Sequence, residues 1–413
     1  MTLPYLVIDA PRRRVALDPR SPAFFSDPYP AYREIRSTTP VFFWENYGFW
    51  CFARHADVVS LLRDKRFGRQ ILHVATREEL GWSEPPEHLE AFNSVERHSL
   101  LELEPPEHTR LRTLINRAFV SHQVERLAPR IASLAHELID NFVRAGANDL
   151  LEHFAAPIPV IVIAELLGVP ARMAPQLLDW SHCMVAMYQF GATREAEDRA
   201  ATAAREFADF LRGYVRQRRA TPSDDLISQL ISAEADSGRL SEDEFIATCI
   251  LVLNAGHEAT VHGIANSAKA LLEHRVDTRE IFVTPQSRAM AVDELLRYDA
   301  PLHLFTRYAL GDVDYAGVAL KQGDKIGLML GAANHDIERF ADPDGLAFDR
   351  SPNPHVSFGG GIHFCVGASL ARLEMEVALP ILFERLPGLR LAEPLRYRNA
   401  YHFRGLERLL VGW

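Results

Sequence analysis

Apolar residues recur at intervals of three and four over most of the first three quarters of the chain, and this spacing is the period of amphipathic helices. Ser241 and Glu244 form a Ser-x-x-Glu capping box, which predicts the start of a helix that continues without a breaker to about Leu272. At about 1.5 Å per residue this helix is roughly 48 Å long. The other segments with helical periodicity are residues 107–119, 123–146, 160–169 and 195–218.

Shorter segments are typical of strands. Residues 41–53 predict two strands around a turn at Glu45 to Gly48, followed by a short helix over residues 55–64. Residues 68–107 are irregular and rich in proline, charge and histidine, which predicts a long loop. Beyond Pro301 the strand-like pieces are residues 306–310, 313–320 and 325–330, with weaker signals around Leu389 and Leu409.

These elements predict a mainly α fold with small β-sheets, divided into a helix-rich side and a sheet-rich side. No linker interrupts the chain, so we expect a single domain over residues 1–413. The composition, 47% hydrophobic and 24% charged, is that of an ordinary globular protein, and the net charge of −10 argues against a nucleic-acid partner. Four widely separated cysteines indicate a reducing compartment. The most apolar stretch, residues 157–167, is shorter than the about 20 residues that cross a bilayer, so we expect a cytoplasmic protein without a membrane partner.

The strongest chemical signal is the segment from Phe358 to Arg372, in which three consecutive glycines precede Cys365 and a helical pattern follows it. A thiol at a helix N-terminus is expected to have a lowered pKa and to serve as a metal ligand or nucleophile. A single cysteine does not build a tetrahedral zinc site, whereas haem iron accepts one axial thiolate. The alternative is a buried structural cysteine beside a glycine turn.

The order Phe358, Gly361, His363, Cys365, Gly367 resembles the signature of the cytochrome P450 superfamily, the haem-thiolate monooxygenases. The resemblance implies the cytochrome P450 fold and haem b as the cofactor, with Cys365 as the axial iron ligand. It also implies that Phe358 shields the sulfur, that His363 reaches a haem propionate and that Gly367 lets the helix approach the porphyrin.

The middle of the long helix carries Ala255 and Gly256, where glycine costs about 1 kcal/mol relative to alanine, so another group is expected to approach the backbone there. In the resembled family that group is the haem face, and Glu258 then relays protons. The alternatives are a helix crossing at Gly256 and a surface ion pair at Glu258. The family pattern Ala-Gly-x-acid-Thr is broken by Ala259, since Thr260 comes one residue late and is rotated by about 100°. Thr260 is therefore either a catalytic hydroxyl or a side chain bonded back to the Gly256 carbonyl.

Two further groups of residues follow from the resemblance. Glu294 and Arg297, three apart on one helix face, match the family's ExxR pair and imply a buried charge network with Arg350 that fixes the cysteine loop. The cationic residues that imply contacts to the haem propionates are His108, Arg112, Arg307 and His363. For each of these four residues a surface role is the alternative.

The residues that the resemblance implies for substrate contact are mostly apolar, and each of the aromatic ones can equally be part of the core. They are Trp82, Phe92, Val252, Leu302, Leu304, Tyr401 and Phe403, with Ala255 shared between substrate and haem.

The resemblance implies a monomeric monooxygenase that hydroxylates a small to medium, mostly apolar substrate with dioxygen. The chain contains no flavin or iron–sulfur motif, so the electrons are expected from a ferredoxin and a ferredoxin reductase. Two alternatives stay open, a peroxide-driven oxygenase, which Ala259 permits, and a non-catalytic haem-thiolate sensor or carrier.

Overall fold

The computed structural model describes residues 3–119, 124–237 and 240–413. Helices make up most of the ordered elements in these ranges. They are α1 (Pro22–Ser26), α2 (Tyr29–Thr38), α3 (His55–Arg63), α4 (Glu90–Glu96), α5 (Glu107–Ala118), α6 (Ala128–Ala145), α7 (Pro157–Leu167), α8 (Ala174–Val185), α9 (Arg194–Ala220), α10 (Leu226–Ser237), α11 (Glu242–Glu273), α12 (Thr278–Ile281), α13 (Pro285–Tyr298), α14 (Leu330–Ala333) and α15 (Ala368–Arg385). Within the described ranges, no helix combines the length and the apolar character needed to cross a membrane.

The strands are short. They are β1 (Val7–Asp9), β2 (Arg14–Ala16), β3 (Val41–Trp44), β4 (Phe49–Phe52), β5 (Phe67–Gly68), β6 (Phe305–Ala309), β7 (Val313–Tyr315), β8 (Val318–Leu320), β9 (Lys325–Leu328), β10 (Arg390–Leu391), β11 (Arg396–Tyr397), β12 (Leu406–Arg408) and β13 (Val411–Gly412). One seven-stranded sheet has the order β1-β2-β3-β4-β9-β6-β5, and three two-stranded ladders pair β7 with β8, β10 with β13 and β11 with β12. The hairpin between β3 and β4 turns through Gly48 at a φ of 73°.

The long helix α11 passes through the helix-rich side. Its capping box is complete, because the Ser241 hydroxyl accepts the Glu244 N–H at 3.2 Å and the Glu244 carboxylate accepts the Ser241 N–H at 2.9 Å. Its 32 residues are buried on nearly every face, as expected for a helix that is apolar in all directions. It packs against α7, α9, α13 and α15.

The mainly α fold with small sheets is confirmed, as is its division into two sides. The largest apolar cluster belongs to the helices, while two smaller clusters lie on the sheet-rich side. The predicted loop over residues 68–107 was partly wrong, because it contains a 3₁₀ turn and α4, whose Phe92 and Val95 are buried in the helical core. Gln123, the first residue of the predicted helix 123–146, lies outside the described residues.

Candidate functional site

The Cys365 loop is positioned by backbone turns that need glycine. Gly359 and Gly361 have φ values of 69° and 67°, and a Cβ atom on Gly361 would overlap the backbone carbonyl of Leu62. The N–H of Cys365 donates to the Phe358 carbonyl at 3.0 Å, and α15 begins three residues after the cysteine. The loop is therefore held tightly and presents Cys365 at the start of a helix, as the sequence indicated.

Burial raises the pKa of the Cys365 thiol, although the Gly367 N–H and the charges of Arg112 and Arg372 lower it. The expected lowering of the pKa was wrong for the protein groups alone, because desolvation exceeds the effect of the helix end. A metal ion bound to the sulfur deprotonates such a thiol outright. The Cys365 side chain is therefore a neutral thiol without a metal, and a bound metal ion would convert it to the thiolate.

Two arginines support the loop. The Arg112 Nη1 atom donates to the Phe364 carbonyl at 2.7 Å, next to Cys365. The Arg372 guanidinium lies 4.5 Å from the centre of the Phe358 ring. Arg112, which the resemblance assigns to a propionate, is thus also bonded to the backbone of the cysteine loop.

Glu294 and Arg297 form a fully buried pair with two hydrogen bonds of 2.9 and 2.8 Å. Arg350 donates to the same carboxylate at 3.0 Å. Arg297 also donates to three backbone carbonyls, those of Asn334, Pro343 and Gly345. The network therefore joins α13 to the chain segment that leads into the cysteine loop.

A second cluster surrounds the cationic residues assigned to the propionates. The His108 and His363 rings are 4.5 Å apart, and the His363 Nε2–H donates to Glu104 at 3.1 Å. Burial lowers the pKa of Arg307 to about 10, and burial together with His363 lowers the pKa of His108 to about 4. Arg69 also lies in this cluster, since its charge helps to lower the pKa of Arg307.

The His108 Nε2 atom is buried and has no hydrogen-bond partner among the described residues. An unpaired polar atom beside buried cations fits an anionic group of a bound molecule. Arg69 and Glu104 were missed by the sequence analysis, because nothing in their local sequence indicates that they meet residues 307 and 363.

On α11, Ala255 is exposed and Ala259 is half-buried, one helical turn apart, while the residues between and beyond them are largely buried. Gly256 faces a different direction, because a Cβ atom there would overlap the Cδ1 atom of Ile163 on α7. The close approach at Gly256 is therefore a helix crossing with α7, the alternative that the sequence left open, and its contact with haem stays a prediction. The Thr260 hydroxyl donates to the Gly256 carbonyl at 2.9 Å, the alternative that the sequence left open.

Glu258 is only 4% exposed. Its Oε1 atom accepts a hydrogen bond from Arg398 at 2.9 Å, and its Oε2 atom lies 3.3 Å from the Nε2 atom of His182. Burial raises the pKa of Glu258, but the neighbouring histidines His182, His257 and His262 outweigh it and hold the pKa well below its ordinary value. The carboxylate borders a pocket of about 490 Å³ that Arg398 and the half-exposed His182 also line. It is a buried, paired carboxylate and not part of a surface ion pair.

The substrate candidates lie in several environments. Tyr401 and Leu304 belong to an apolar cluster of the sheet-rich side, where the Tyr401 hydroxyl accepts from Tyr32 at 3.0 Å, so a role in the core is favoured for both. Phe92 and Val252 are buried in the helical core. Of the remaining candidates, Trp82 is half-buried. Leu302 and Phe403 form an isolated antiparallel β-bridge with each other.

The residues present fit a haem group. Cys365 supplies one sulfur ligand, and the cluster around His108 supplies buried cations and an unpaired ring nitrogen that can donate to a carboxylate. Gly367 faces open space, so the start of α15 leaves room beside the sulfur. The arrangement suits a flat, anionic, metal-bearing cofactor.

The comparisons with known proteins agree. A family model described as Cytochrome P450 matches residues 289–387. The chain is 35% identical over 408 residues to the polyketide biosynthesis cytochrome P450 PksS of Bacillus subtilis (strain 168), covering 96% of this chain and 98% of the relative. It is also 35% identical over 408 residues to the 6-deoxyerythronolide B hydroxylase of Saccharopolyspora erythraea, covering 95% of this chain and 98% of that enzyme. The solved structure of P450BioI in complex with an acyl carrier protein ligated to hexadec-9Z-enoic acid superimposes with a TM-score of 0.87 at 33% identity, over 95% of this chain and 100% of that one.

Proposed function

The chain belongs to the cytochrome P450 family of monooxygenases, and we propose that it binds haem b through Cys365 and hydroxylates a small to medium, mostly apolar organic substrate. The observation that carries the proposal is the fixed Cys365 loop beside the cationic cluster with its unpaired His108 Nε2 atom. When bound, the haem supplies the activation of dioxygen. One domain over residues 1–413, acting as a monomer, contains all of these residues.

Several residues would hold the cofactor, each through a different contact. Cys365 would hold the haem iron through its sulfur, Phe358 would cover that sulfur, and Gly367 keeps the helix start free of side-chain atoms. Four side chains would hold the haem propionates through charge or through ring N–H groups: Arg112, Arg307, His108 and His363. Arg69 is a further member of this cluster.

Proton supply depends on Glu258. His182, which is 51% exposed on its side chain, exchanges protons with solvent and passes them to the buried carboxylate 3.3 Å away, which carries each proton only in transit because its pKa is held low. Glu258 precedes Ala259, whose side chain has no hydroxyl, and Thr260 is bonded to its own helix. The last proton donor is therefore an ordered water or a hydroxyl of the substrate.

The substitution Ala259→Thr tests this assignment of the last donor. If the chain lacks an alcohol that it needs, the variant couples electron consumption to product more tightly than the parent enzyme. An inert or damaging substitution supports donation by the substrate. The ratio of product formed to NAD(P)H consumed measures the difference.

The substrate class and partners rest on the relatives. One is named as a hydroxylase of 6-deoxyerythronolide B, and another is solved with a fatty acyl chain on a carrier protein. An apolar substrate of this kind suits a chain whose candidate contacts are mostly apolar. Electrons come from a ferredoxin and its reductase, because the chain carries no flavin or iron–sulfur motif of its own.

A peroxide-driven oxygenase is the second candidate, and Ala259 is the observation that favours it, since peroxide brings its own protons and electrons. The two candidates separate in one assay. Turnover with hydrogen peroxide at a rate equal to that with NAD(P)H, ferredoxin and reductase selects the peroxide route.

The test of the main proposal compares Cys365→Ser with Cys183→Ser, a half-buried cysteine on α8. The carbon monoxide complex of the reduced holoenzyme has the absorbance of a thiolate-ligated haem, and we expect Cys365→Ser alone to lose both this absorbance and product formation. Retention of the thiolate spectrum in Cys365→Ser contradicts the assignment. Screening compounds for a haem spin-state shift then identifies the substrate.

A further inference from the structure

Three side chains on two helices converge beside the pocket. His182 comes from α8, and His257 and Glu258 come from α11. One ligand-type atom from each lies within 4.8 Å of the other two. The Glu258 Oε2 atom is 3.3 Å from the His182 Nε2 atom and 3.4 Å from the His257 Nε2 atom.

The chemistry of His257 points to a missing cation. Its Nδ1 atom lies 3.1 Å from the Leu253 carbonyl, which only accepts, and 3.4 Å from the Ser181 hydroxyl, which can accept as well as donate. The shorter contact, to the carbonyl, is satisfied when Nδ1 carries the proton and donates. The neutral ring then has its lone pair on Nε2, which is fully buried and has no hydrogen-bond partner within the described ranges. A buried lone pair facing a carboxylate oxygen at 3.4 Å is repulsive unless a cation, either a second ring proton or a metal ion, lies between the two atoms.

The distances match those around a tetrahedral metal ion. With metal–nitrogen and metal–oxygen bonds of about 2.0–2.1 Å, neighbouring ligand atoms are about 3.3–3.4 Å apart. Both contacts of the Glu258 Oε2 atom have this length. The third edge, between the two histidines, is within 4.8 Å, and rotation of the half-exposed His182 side chain shortens it.

We propose that His182, His257 and Glu258 bind a zinc ion. Two imidazoles and one carboxylate are a zinc ligand set that leaves the fourth position for water. Two of the three ligands, His182 and Glu258, line the pocket of about 490 Å³. Magnesium prefers oxygen ligands and does not suit the two nitrogens.

The groups around the three ligands support this arrangement. Arg398 bonds the other carboxylate oxygen, Oε1, at 2.9 Å, so it orients Glu258 without occupying the metal-facing atom. The Leu253 carbonyl fixes the His257 ring in the tautomer that a metal needs. The exposed His182 gives the ion a path from solvent.

The site has a consequence for activity, which rests on the proposed function. Zinc on the Oε2 atom occupies the atom that receives protons from His182. Zinc binding therefore slows hydroxylation while leaving the haem and the substrate site intact, and the site acts as an inhibitory metal site on the proton path.

The binding experiment uses the haem-loaded protein equilibrated by dialysis against zinc chloride, with bound zinc measured by atomic spectroscopy. Wild type retains one zinc per chain that His182→Ala loses, with at least a tenfold increase in Kd. His153→Ala, a histidine on the surface with 43% side-chain exposure, is the matched control and binds zinc as wild type does. Excess magnesium chloride leaves the bound zinc unchanged.

Equal zinc affinity in wild type and His182→Ala overturns the proposal, as does an equal loss in His153→Ala. A second measurement separates the metal site from the proton path. Zinc that inhibits product formation by the wild type at the Kd measured by dialysis supports both. Zinc that binds without slowing turnover supports the metal site and contradicts the role of Glu258 as the proton relay.

Discussion

Replacing Arg297 with alanine removes the centre of the charge network that holds the cysteine loop. The guanidinium is fully buried and donates five hydrogen bonds, two to Glu294 at 2.9 and 2.8 Å and three to backbone carbonyls at 2.9, 2.7 and 2.8 Å. Arg297→Ala leaves Glu294 with Arg350 as its cationic partner and leaves three carbonyls without a donor.

The energetic cost follows from these contacts. Breaking a buried ion pair by removing one partner costs about 3–5 kcal/mol, and an unsatisfied buried polar group costs about 1–3 kcal/mol, less where water enters the vacated space. Because a folded domain is stable by only about 5–15 kcal/mol, the pair alone is a large fraction of the total. We expect the variant to lose most of its haem and to unfold at a urea concentration lower by about 1 M or more, for a slope of about 3 kcal/mol/M.

The assay measures the haem-to-protein ratio of the purified variant and its urea midpoint. Arg297→Lys keeps the charge but has three donors for five acceptors, so it falls between wild type and Arg297→Ala. Arg279→Ala, which removes an arginine side chain that is 88% exposed, is the control and changes the stability by about 0.5 kcal/mol or less. Full haem content and a midpoint equal to that of the control would refute the structural role of Arg297.

Two other predictions concern packing and acid stability. Gly256→Ala is destabilised by about 1–3 kcal/mol because its Cβ atom overlaps Ile163. The double variant with Ile163→Val, which lacks the Cδ1 atom, regains part of the lost stability, measured as the thermal unfolding midpoint. Burial raises the pKa of Asp299, but the charges of Arg404 and Lys269 outweigh burial and lower the pKa far below its ordinary value. The ionised carboxylate therefore stabilises the fold above about pH 4, and this stabilisation is lost as the pH falls below about 4. Asp299→Asn is therefore less stable than wild type by about 3–5 kcal/mol at pH 7, and the difference between the two unfolding midpoints narrows below about pH 4. A difference in midpoint that stays constant with pH contradicts the stabilising role of the ionised Asp299.

The elements that the sequence predicts well are those set by neighbouring residues. The capping box of Ser241 and Glu244 placed the start of α11 correctly, and the residues 45–48 placed the β3–β4 hairpin, because both signals depend on contacts within a few positions. The helix α8 and the strands β1 and β2 were missed, since their short segments lack a strong periodic pattern.

The candidate site was predictable where a motif carries it and not where distant segments meet. The order of residues around Cys365 indicated the sulfur ligand. The partner of Glu258, however, is Arg398, and the partner of His363 is Glu104, and both pairs are separated by more than 100 positions in the chain. The pKa of Cys365 was predicted in the wrong direction for the same reason, because burial depends on the whole fold.

The helix α11 makes three contacts in fixed order along its length, one to α7 and two to the segment around residues 398–404. Gly256 fits against Ile163, Glu258 meets Arg398, and the Asn266 amide donates to the Arg404 carbonyl at 3.1 Å. Inserting or deleting one residue before Gly256 rotates every later side chain by about 100° and displaces it by about 1.5 Å relative to the capped end. All three contacts would then fail together, so the length of this helix is under stronger constraint than the identity of most residues in it, and natural variation within α11 should consist of substitutions and not of insertions or deletions.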